Sequence, residues 1–282
     1  MENKKLTGFM YELKLRGLSS KTLTAYYFAN DRFLKFIRKE PIYVTTRDIK
    51  VYINHLIDTG KKPKTINLMI AALKSYYDDY LGRRLFNKIN RVKNEKHIPN
   101  VLSTQELNAM INNTKNEKHK LIIKLLYASG VRVGELVKLK VADLDLDNGF
   151  IRVMYGKGKK DRLTVMSKML CRELFEYLKY RPHNYYLFQN SKESHLTTRA
   201  VQEIVKTSAI RSGIKRRVYP HALRASFATH LYDRGTQLQK IQKLMGHADD
   251  RTTKGYTKSA VIDIKDVISP LDNLEIIAGK CP

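Results

Sequence analysis

Residues 121–136 read LIIKLLYASGVRVGEL, and this stretch decides how the second half of the chain folds. The segment from Leu121 to Tyr127 is apolar on nearly every side, which predicts a helix buried all round. Gly130 is placed to end that helix in a left-handed cap. Arg132 and Glu135 follow three residues apart, so they are expected on one face of the next helix. Taken alone, such a pair is most simply interpreted as a surface ion pair.

The rest of the second half combines helices with one β-hairpin. FIRVMY, which begins at Phe150, and RLTVM, which ends at Met166, predict two strands around the turn GKGKKD. Helical patterns follow at 168–180, 197–210, 221–233 and 237–245. The predicted fold class is therefore mainly α with a small β-sheet, an α+β arrangement.

Residues 1–86 predict a separate helical domain. Three apolar runs have helical spacing, and together with the first residues they indicate a bundle of about four short helices. Ser19 and Ser20 are plausible N-caps for the first run, while Gly60 and Gly82 follow the second and third. The polar, basic stretch 87–100 predicts a linker, which leaves 101–282 as a second domain. A cap-capable Ser103 or Thr104 opens that domain's first helix.

The charge of the chain points to a polyanionic partner. Among 282 residues, 53 are Lys or Arg and 27 are Asp or Glu, a net charge of +26. Residues 1–98 hold 21 basic and 9 acidic residues, so both predicted domains share the excess. Phosphates favour such a surface because their neutralisation releases counterions. The simpler alternative is that the net positive charge only keeps the protein soluble.

Other compositional signals argue against membranes, zinc and secretion. No apolar run approaches the roughly 18 residues of a membrane span, and the first twenty residues hold no apolar signal stretch. Cys171 and Cys281 form no zinc pattern and suit a reduced compartment. A cytoplasmic protein is expected.

Four further segments carry polar residues that could take part in catalysis or ligand binding. A glycine-flanked lysine occupies the hairpin turn, a histidine and an arginine lie one helical turn apart after a proline, a histidine follows a helix-ending glycine, and a tyrosine stands in TTKGYT. A histidine and an arginine at this spacing can grip one phosphate. Each segment alone also has an ordinary structural interpretation. The residues are Lys157, His221, Arg224, His247 and Tyr256.

In this order and spacing the segments resemble the tyrosine recombinase family, and its Xer-type branch most closely. The motifs are ASGVRVGEL, GKGxKxR, HxLR followed by SFATHL, MGH, and TTxxYT, whose tyrosine follows that histidine by nine residues. The stretch SSKTLTAYYFANDRFLKFI is similar to the family's SAM-like core-binding domain, so the resemblance covers nearly the whole chain. One departure is Ala225, since Xer-like chains often read HxLRHSFAT.

The resemblance implies a mechanism in which Tyr256 attacks a DNA phosphate and forms a 3′-phosphotyrosine. Positively charged donors would stabilise the charge that builds on the phosphate oxygens, a lysine would protonate the leaving oxygen, and a carboxylate would orient the cluster. No metal or nucleotide cofactor is expected. The implied roles fall on Arg132, Arg224 and His247 as donors, Lys157 as general acid, His221 as proton acceptor, and Glu135 as the orienting group.

The resemblance also implies a partner and an assembly. The partner is double-stranded DNA with an inverted-repeat site, held in a C-shaped clamp by the two domains. A homotetramer would form by exchange of the C-terminal helix. The tail carries two apolar series that must be buried in cis or on a neighbour, with Pro270 expected to end the first helix near Ser269. These series are Val261, Ile262, Ile264 and Ile268, then Leu271, Leu274 and Ile277.

Three alternatives stay open at this point. Within the family, resolution of chromosome or plasmid dimers is favoured over integration of a mobile element, because the core-binding pattern begins near residue 6. A type IB topoisomerase shares the tyrosine chemistry. A DNA-binding protein without catalysis would keep the charge but would tolerate loss of the tyrosine or an arginine.

Overall fold

A computed structural model describes residues 4–93, 100–154, 161–181, 185–246, 264, 266–272 and 274. The chain divides into two compact units, Met1–His97 and Ile98–Pro282. Within the described ranges, no helix combines the length and the apolar character needed to cross a bilayer.

The described part of the first unit is a bundle of helices, as the sequence predicts. Its α-helices span Thr7–Leu15 (α1), Ser20–Ile37 (α2), Thr46–Asp58 (α3) and Pro63–Lys74 (α4). A π-helical turn, Ser75–Tyr80, continues α4, and short 3₁₀ turns cover Lys4–Leu6 and Pro41–Tyr43. The predicted cap of the first run is confirmed, because the Ser19 side chain accepts a hydrogen bond from the backbone N of Thr22.

Aromatic side chains fill the centre of this bundle. Tyr76 and Tyr77 are buried on the π-helical turn, and their rings meet edge to face with centroids 5.0 Å apart. Phe9 of α1 packs on Tyr76 at 5.1 Å, and Phe33 of α2 packs on Tyr77 at 5.9 Å. Such edge-to-face pairs add to the burial of apolar area. The aromatic core therefore packs α1 and α2 against the π-helical turn that follows α4.

Among its described residues, the second unit contains seven α-helices and a three-stranded antiparallel sheet. The strands β1 (Leu144–Asp145), β2 (Phe150–Val153) and β3 (Arg162–Val165) lie in that order, with Phe150 opposite Val165. Two of these strands are the predicted hairpin. β1 was not predicted, because two residues are too few to show a pattern. The helices are Thr104–Asn112 (α5), Glu117–Ser129 (α6), Val133–Leu136 (α7), Lys168–Lys179 (α8), Thr198–Arg211 (α9), Pro220–Asp233 (α10) and Leu238–Met245 (α11).

Helix α6 forms the centre of this unit. Every residue from Leu121 to Ser129 is buried, and α5, α8, α9, α10 and β3 all pack against it. The predicted all-round burial and the left-handed cap are both confirmed, since Gly130 has φ 61°. A Cβ at Gly130 would also meet the ring of Phe227 on α10. Glycine is therefore required by backbone conformation and by packing.

The described part of the tail packs on its own unit and corrects the predicted helix. Residues 267–269 are not helical, whereas Pro270 begins a helical turn instead of following one. A residue before proline is disfavoured in the helical region, which accounts for the absence of helix at Ser269. Its Oγ donates to the carbonyl of Ala128 at 2.8 Å. The predicted burial is wrong at Ile268, which is 65% exposed, and confirmed at Ile264, Leu271 and Leu274; Val267 is buried as well.

Candidate active site

Arg132 and Glu135 form a half-buried pair at the start of α7. Arg132 is the N-cap residue and Glu135 is the third residue of the helix, so the expectation that both lie within it is corrected at Arg132. The Glu135 carboxylate accepts the Arg132 backbone N–H and its Nη1, each at 2.8 Å. Only 9% of the Glu135 side chain is exposed. The pair is therefore not the surface ion pair that its spacing alone would suggest.

A second arginine, Arg162, binds the same carboxylate from the first position of β3. Its Nη1 and Nη2 donate to Oε1 and Oε2 of Glu135 at 3.0 and 2.8 Å. This is the bidentate fork in which a guanidinium matches a carboxylate best. Glu135 thus joins Arg132 of the α6–α7 connection to the hairpin strand β3.

A third arginine, Arg224, enters from the first turns of α10. Pro220 occupies the start of this helix, where a missing N–H costs nothing. Arg224 is 3% exposed and donates from Nη1 to the carbonyl of Gly130 and from Nη2 to the carbonyl of Met245. It therefore joins the C-terminal ends of α6 and α11.

The three arginines, here called the arginine cluster (Arg132, Arg162 and Arg224), meet at the C-terminus of α11. Three successive carbonyls at that end each accept from a different arginine: Leu244 from Arg162 at 2.8 Å, Met245 from Arg224, and Gly246 from Arg132 at 3.2 Å. The last carbonyls of a helix lack partners within it and carry partial negative charge. The cluster satisfies them, and Gly246 ends α11 with φ 61° as predicted.

The electrostatics of the site favour an anion. Burial raises the pKa of Glu135, but the hydrogen bonds and charge of Arg162, with those of Arg132, outweigh it and bring that pKa down to about 2. Burial and the charges of Arg132 and Arg162 lower the pKa of Arg224 to about 9, with Glu135 acting in the opposite direction. Among the described residues, two of the three guanidinium groups bind the one carboxylate of Glu135, while Arg224 binds only backbone carbonyls, so positive charge is in excess. An anion at Arg132, whose side chain is 29% exposed, would relieve it.

The remaining site residues fall into two groups. His221 is exposed on the first turn of α10, one turn before Arg224. Lys157, His247 and Tyr256 lie outside the described residues. The structure thus brings together Arg132, Glu135 and Arg224.

Sequence reasoning assigned no role to Arg162. Arg162 is the last residue of the motif GKGxKxR, but its local sequence indicates only the end of a solvated basic turn. The signal that could have identified it is a charged residue opening a strand whose next positions are apolar. Its partners Glu135 and Leu244 are 27 and 82 residues away, and no local pattern links them.

Two family models match the chain. Residues 100–261 match the phage integrase family, and residues 6–86 match the phage integrase N-terminal SAM-like domain. Tyrosine recombinase XerA of Pyrococcus horikoshii is 34% identical over 97% of this chain and 95% of its own length. Tyrosine recombinase XerD of Listeria innocua is 32% identical over 89% and 92%.

Two solved structures are also similar to this chain. A crystal structure of XerA recombinase covers all of this chain and 99% of its own, with 29% identity and a TM-score of 0.51. A lambda integrase dimer bound to a COC′ core site shares the fold, with a TM-score of 0.70 and 20% identity over 90% of this chain and 97% of its own.

The fold and the arginine cluster together define an integrase-type catalytic unit that follows a SAM-like helical unit. The chain belongs to the phage integrase family, as a tyrosine site-specific recombinase.

Proposed function

We propose that this chain cuts and rejoins double-stranded DNA at specific inverted-repeat sites through a covalent link from Tyr256 to a DNA phosphate. The arginine cluster carries the proposal. It is a partly buried, positively charged site formed by segments far apart in the sequence, in which the carboxylate of Glu135 binds two of the three arginines. Structures of relatives bound to DNA, among them XerH on its difH substrate, support the same partner.

The chemistry is a transesterification at phosphorus. The Tyr256 oxygen forms a bond to the scissile phosphorus while the bond to the 5′ oxygen of the next nucleotide breaks, which leaves a 3′-phosphotyrosine and a free 5′ hydroxyl. A 5′ hydroxyl from a partner duplex then reverses the step. The number of phosphoester bonds is unchanged, so no nucleotide needs to be hydrolysed.

Each proposed role follows from the charge that the reaction develops. Arg132 and Arg224 stabilise the non-bridging oxygens, with His247 as a further donor. Lys157 protonates the leaving 5′ oxygen, and His221 accepts the tyrosine proton. Glu135 orients Arg132, a role that its hydrogen bonds to the Arg132 side chain and backbone support.

The assembly is proposed as a tetramer on two sites, with the tail exchanged between neighbours. In the described residues the tail packs on its own unit. Ser269 donates to Ala128, Asp272 caps the backbone N of Lys168 at 2.9 Å, and Asp266 binds Lys240 at 2.6 Å. Exchange therefore requires these contacts to break, and DNA-bound neighbours would have to replace them.

The cellular role is proposed as resolution of chromosome or plasmid dimers. The support is the similarity to Xer recombinases over nearly the full chain. The test is to recover the DNA bound by the protein and to place two copies of the recovered site as direct repeats on a plasmid. Conversion of plasmid dimers to monomers supports the proposal. Integration of a donor circle without resolution of dimers would assign the chain to a mobile element.

The covalent step has its own test. Tyr256→Phe removes only the nucleophilic oxygen, so it should bind a half-site normally but form no adduct that survives denaturing electrophoresis. An adduct formed by this variant would show that another residue is the nucleophile. Relaxation of supercoiled DNA by the wild type without Holliday junctions would favour the topoisomerase alternative.

A further inference from the structure

We infer that Arg162 is a positioning residue of this site, which holds Glu135 and the end of α11 in the arrangement that aims Arg132 and Arg224 at the scissile phosphate. The inference rests on the proposed function, because the phosphate is the ligand that these arginines are proposed to bind. Arg162 is assigned a positioning role because each of its three guanidinium nitrogens donates to Glu135 or to the carbonyl of Leu244.

The hydrogen bonds that Arg162 donates to described residues go to parts of the protein that carry proposed site residues. Nη1 and Nη2 bind the two oxygens of Glu135, and Nε binds the carbonyl of Leu244 at 2.8 Å. One planar group therefore spans the start of α7 and the end of α11. In the sequence, His247 follows that end directly after Gly246.

The backbone that carries Arg162 is itself fixed. Arg162 pairs with Val153 across β2 and β3, and two residues later the Thr164 Oγ1 donates to the carbonyl of Ser129 at 2.7 Å. Strand β3 is thereby attached to the last turn of α6, next to Gly130, whose carbonyl holds Arg224. Three backbone segments of the site are connected through a single guanidinium and its strand.

The approach of Arg162 to α11 also accounts for glycine at position 246. A Cβ there would lie 2.8 Å from the Cδ of Arg162, a separation that real Cβ atoms essentially never show, and 3.2 Å from its Nε. The left-handed φ of 61° sets the same requirement independently. Gly246 therefore permits the contact through which Arg162 holds the helix end.

Without the fork from Arg162, Arg132 would become the main cation beside Glu135. Its guanidinium could then turn fully onto that carboxylate and away from a phosphate. Lysine cannot substitute, because a single ammonium cannot reach both carboxylate oxygens and the Leu244 carbonyl in one plane. The expected defect is in the rate of cleavage rather than in binding of DNA.

The test compares Arg162→Lys with a matched control, Arg216→Lys. Arg216 forms the same kind of fork with Glu106 and also binds the carbonyl of Val101, in the same unit but apart from the arginine cluster. On a suicide half-site with enzyme in excess, Arg162→Lys should cleave about 10- to 100-fold more slowly, since small displacements of catalytic groups cost that much. Its half-site Kd should stay within about threefold of wild type, because binding contacts are retained. Arg216→Lys should cleave at the wild-type rate.

Two further measurements separate positioning from other roles. A 5′-bridging phosphorothioate, whose leaving group needs no proton, should not rescue Arg162→Lys; full rescue would assign the defect to the hairpin lysine and overturn the inference. The losses from Arg162→Lys and Glu135→Gln should not multiply in the double variant, because the two residues act as one unit. Multiplicative losses would overturn it as well.

The remaining outcomes are also decisive. Wild-type cleavage by Arg162→Lys, or a loss confined to Kd, refutes the inference. If Arg162→Lys melts below the assay temperature, Arg162→Met combined with Glu135→Gln removes both charges, a change that buried pairs tolerate. That variant should fold and cleave slowly, and wild-type cleavage by it would refute the inference. Absence of a covalent adduct with wild type and Arg216→Lys would instead refute the proposed function.

Discussion

Glu135→Gln is the substitution whose effect on the free energy of unfolding can be estimated most directly from the structure. The substitution keeps the shape of the side chain but removes the charge that Arg132 and Arg162 share. The pKa of Glu135 is about 2, against an ordinary value of 4.5. That difference corresponds to roughly 3 kcal/mol of preferential stabilisation of the ionised form in the folded protein. A loss of roughly 3 kcal/mol lowers Tm by about 6–12 °C in a unit of this size.

The direction of this pKa shift also predicts how the stability difference between wild type and Glu135→Gln changes with pH. A carboxyl group whose pKa is depressed in the folded state stabilises the protein above its unfolded pKa, and that stabilisation is lost as the pH falls through the folded value. The Tm difference between wild type and Glu135→Gln should therefore be constant from about pH 5 to 8 and shrink from about pH 4.5 towards pH 2. Thermal melts in low-salt buffers across this range measure it.

The matched control is Glu106→Gln. Glu106 also accepts a fork from an arginine, but that partner, Arg216, has 44% of its side chain exposed. Exposed pairs contribute less than about 1 kcal/mol, so this variant should melt near wild type. A Tm for Glu135→Gln within about 2 °C of wild type at pH 7, or a difference that does not change with pH, would refute the estimate.

Further predictions address the metal, the general acid and the tail. Cleavage of a suicide substrate should persist in EDTA, because Arg132 and Arg224 are proposed to stabilise the charge on the phosphate oxygens; loss of cleavage that magnesium restores would contradict this. Lys157→Ala should cleave slowly on ordinary DNA and recover most of its rate on a 5′-bridging phosphorothioate, whereas equal damage on both substrates would show that Lys157 only binds. Truncation after Ala260 should lower Tm, because it removes buried side chains that contribute roughly 1.5–3 kcal/mol each. Truncation after Leu274 should spare Tm and half-site binding while weakening cooperative binding to a full site; unchanged cooperativity would count against tail exchange.

Several features could be predicted because local physics decides them. Helix α6 is apolar on all sides, and only burial on all sides satisfies such a helix. Gly130 and Gly246 end helices with positive φ, which glycine adopts without strain. The hairpin strands show their own pattern, while β1, with two residues, is too short to show one.

The tail shows where local pattern fails. Ile268 belongs to an apolar series by spacing, yet it is exposed, whereas Val267 beside it is buried. Helical spacing was the wrong template there, because Pro270 disfavours helix in the residue before it. Hydrogen bonds to distant residues, such as that from Ser269 to Ala128, set the path of the chain instead.

The sequence by itself determined the family and the mainly helical fold with its hairpin, and it suggested the residues of the proposed site, because motifs and periodicity are properties of neighbouring residues. Only the tertiary structure decided how those residues act together. The partners of Arg162 are Glu135 and Leu244, and those of Arg224 are Gly130 and Met245. Most of these acceptors are backbone carbonyls at helix ends, groups that every residue type carries. Which carbonyl is left without a partner, and which arginine reaches it, follows from the packing of α6, α10, α11 and β3 against one another.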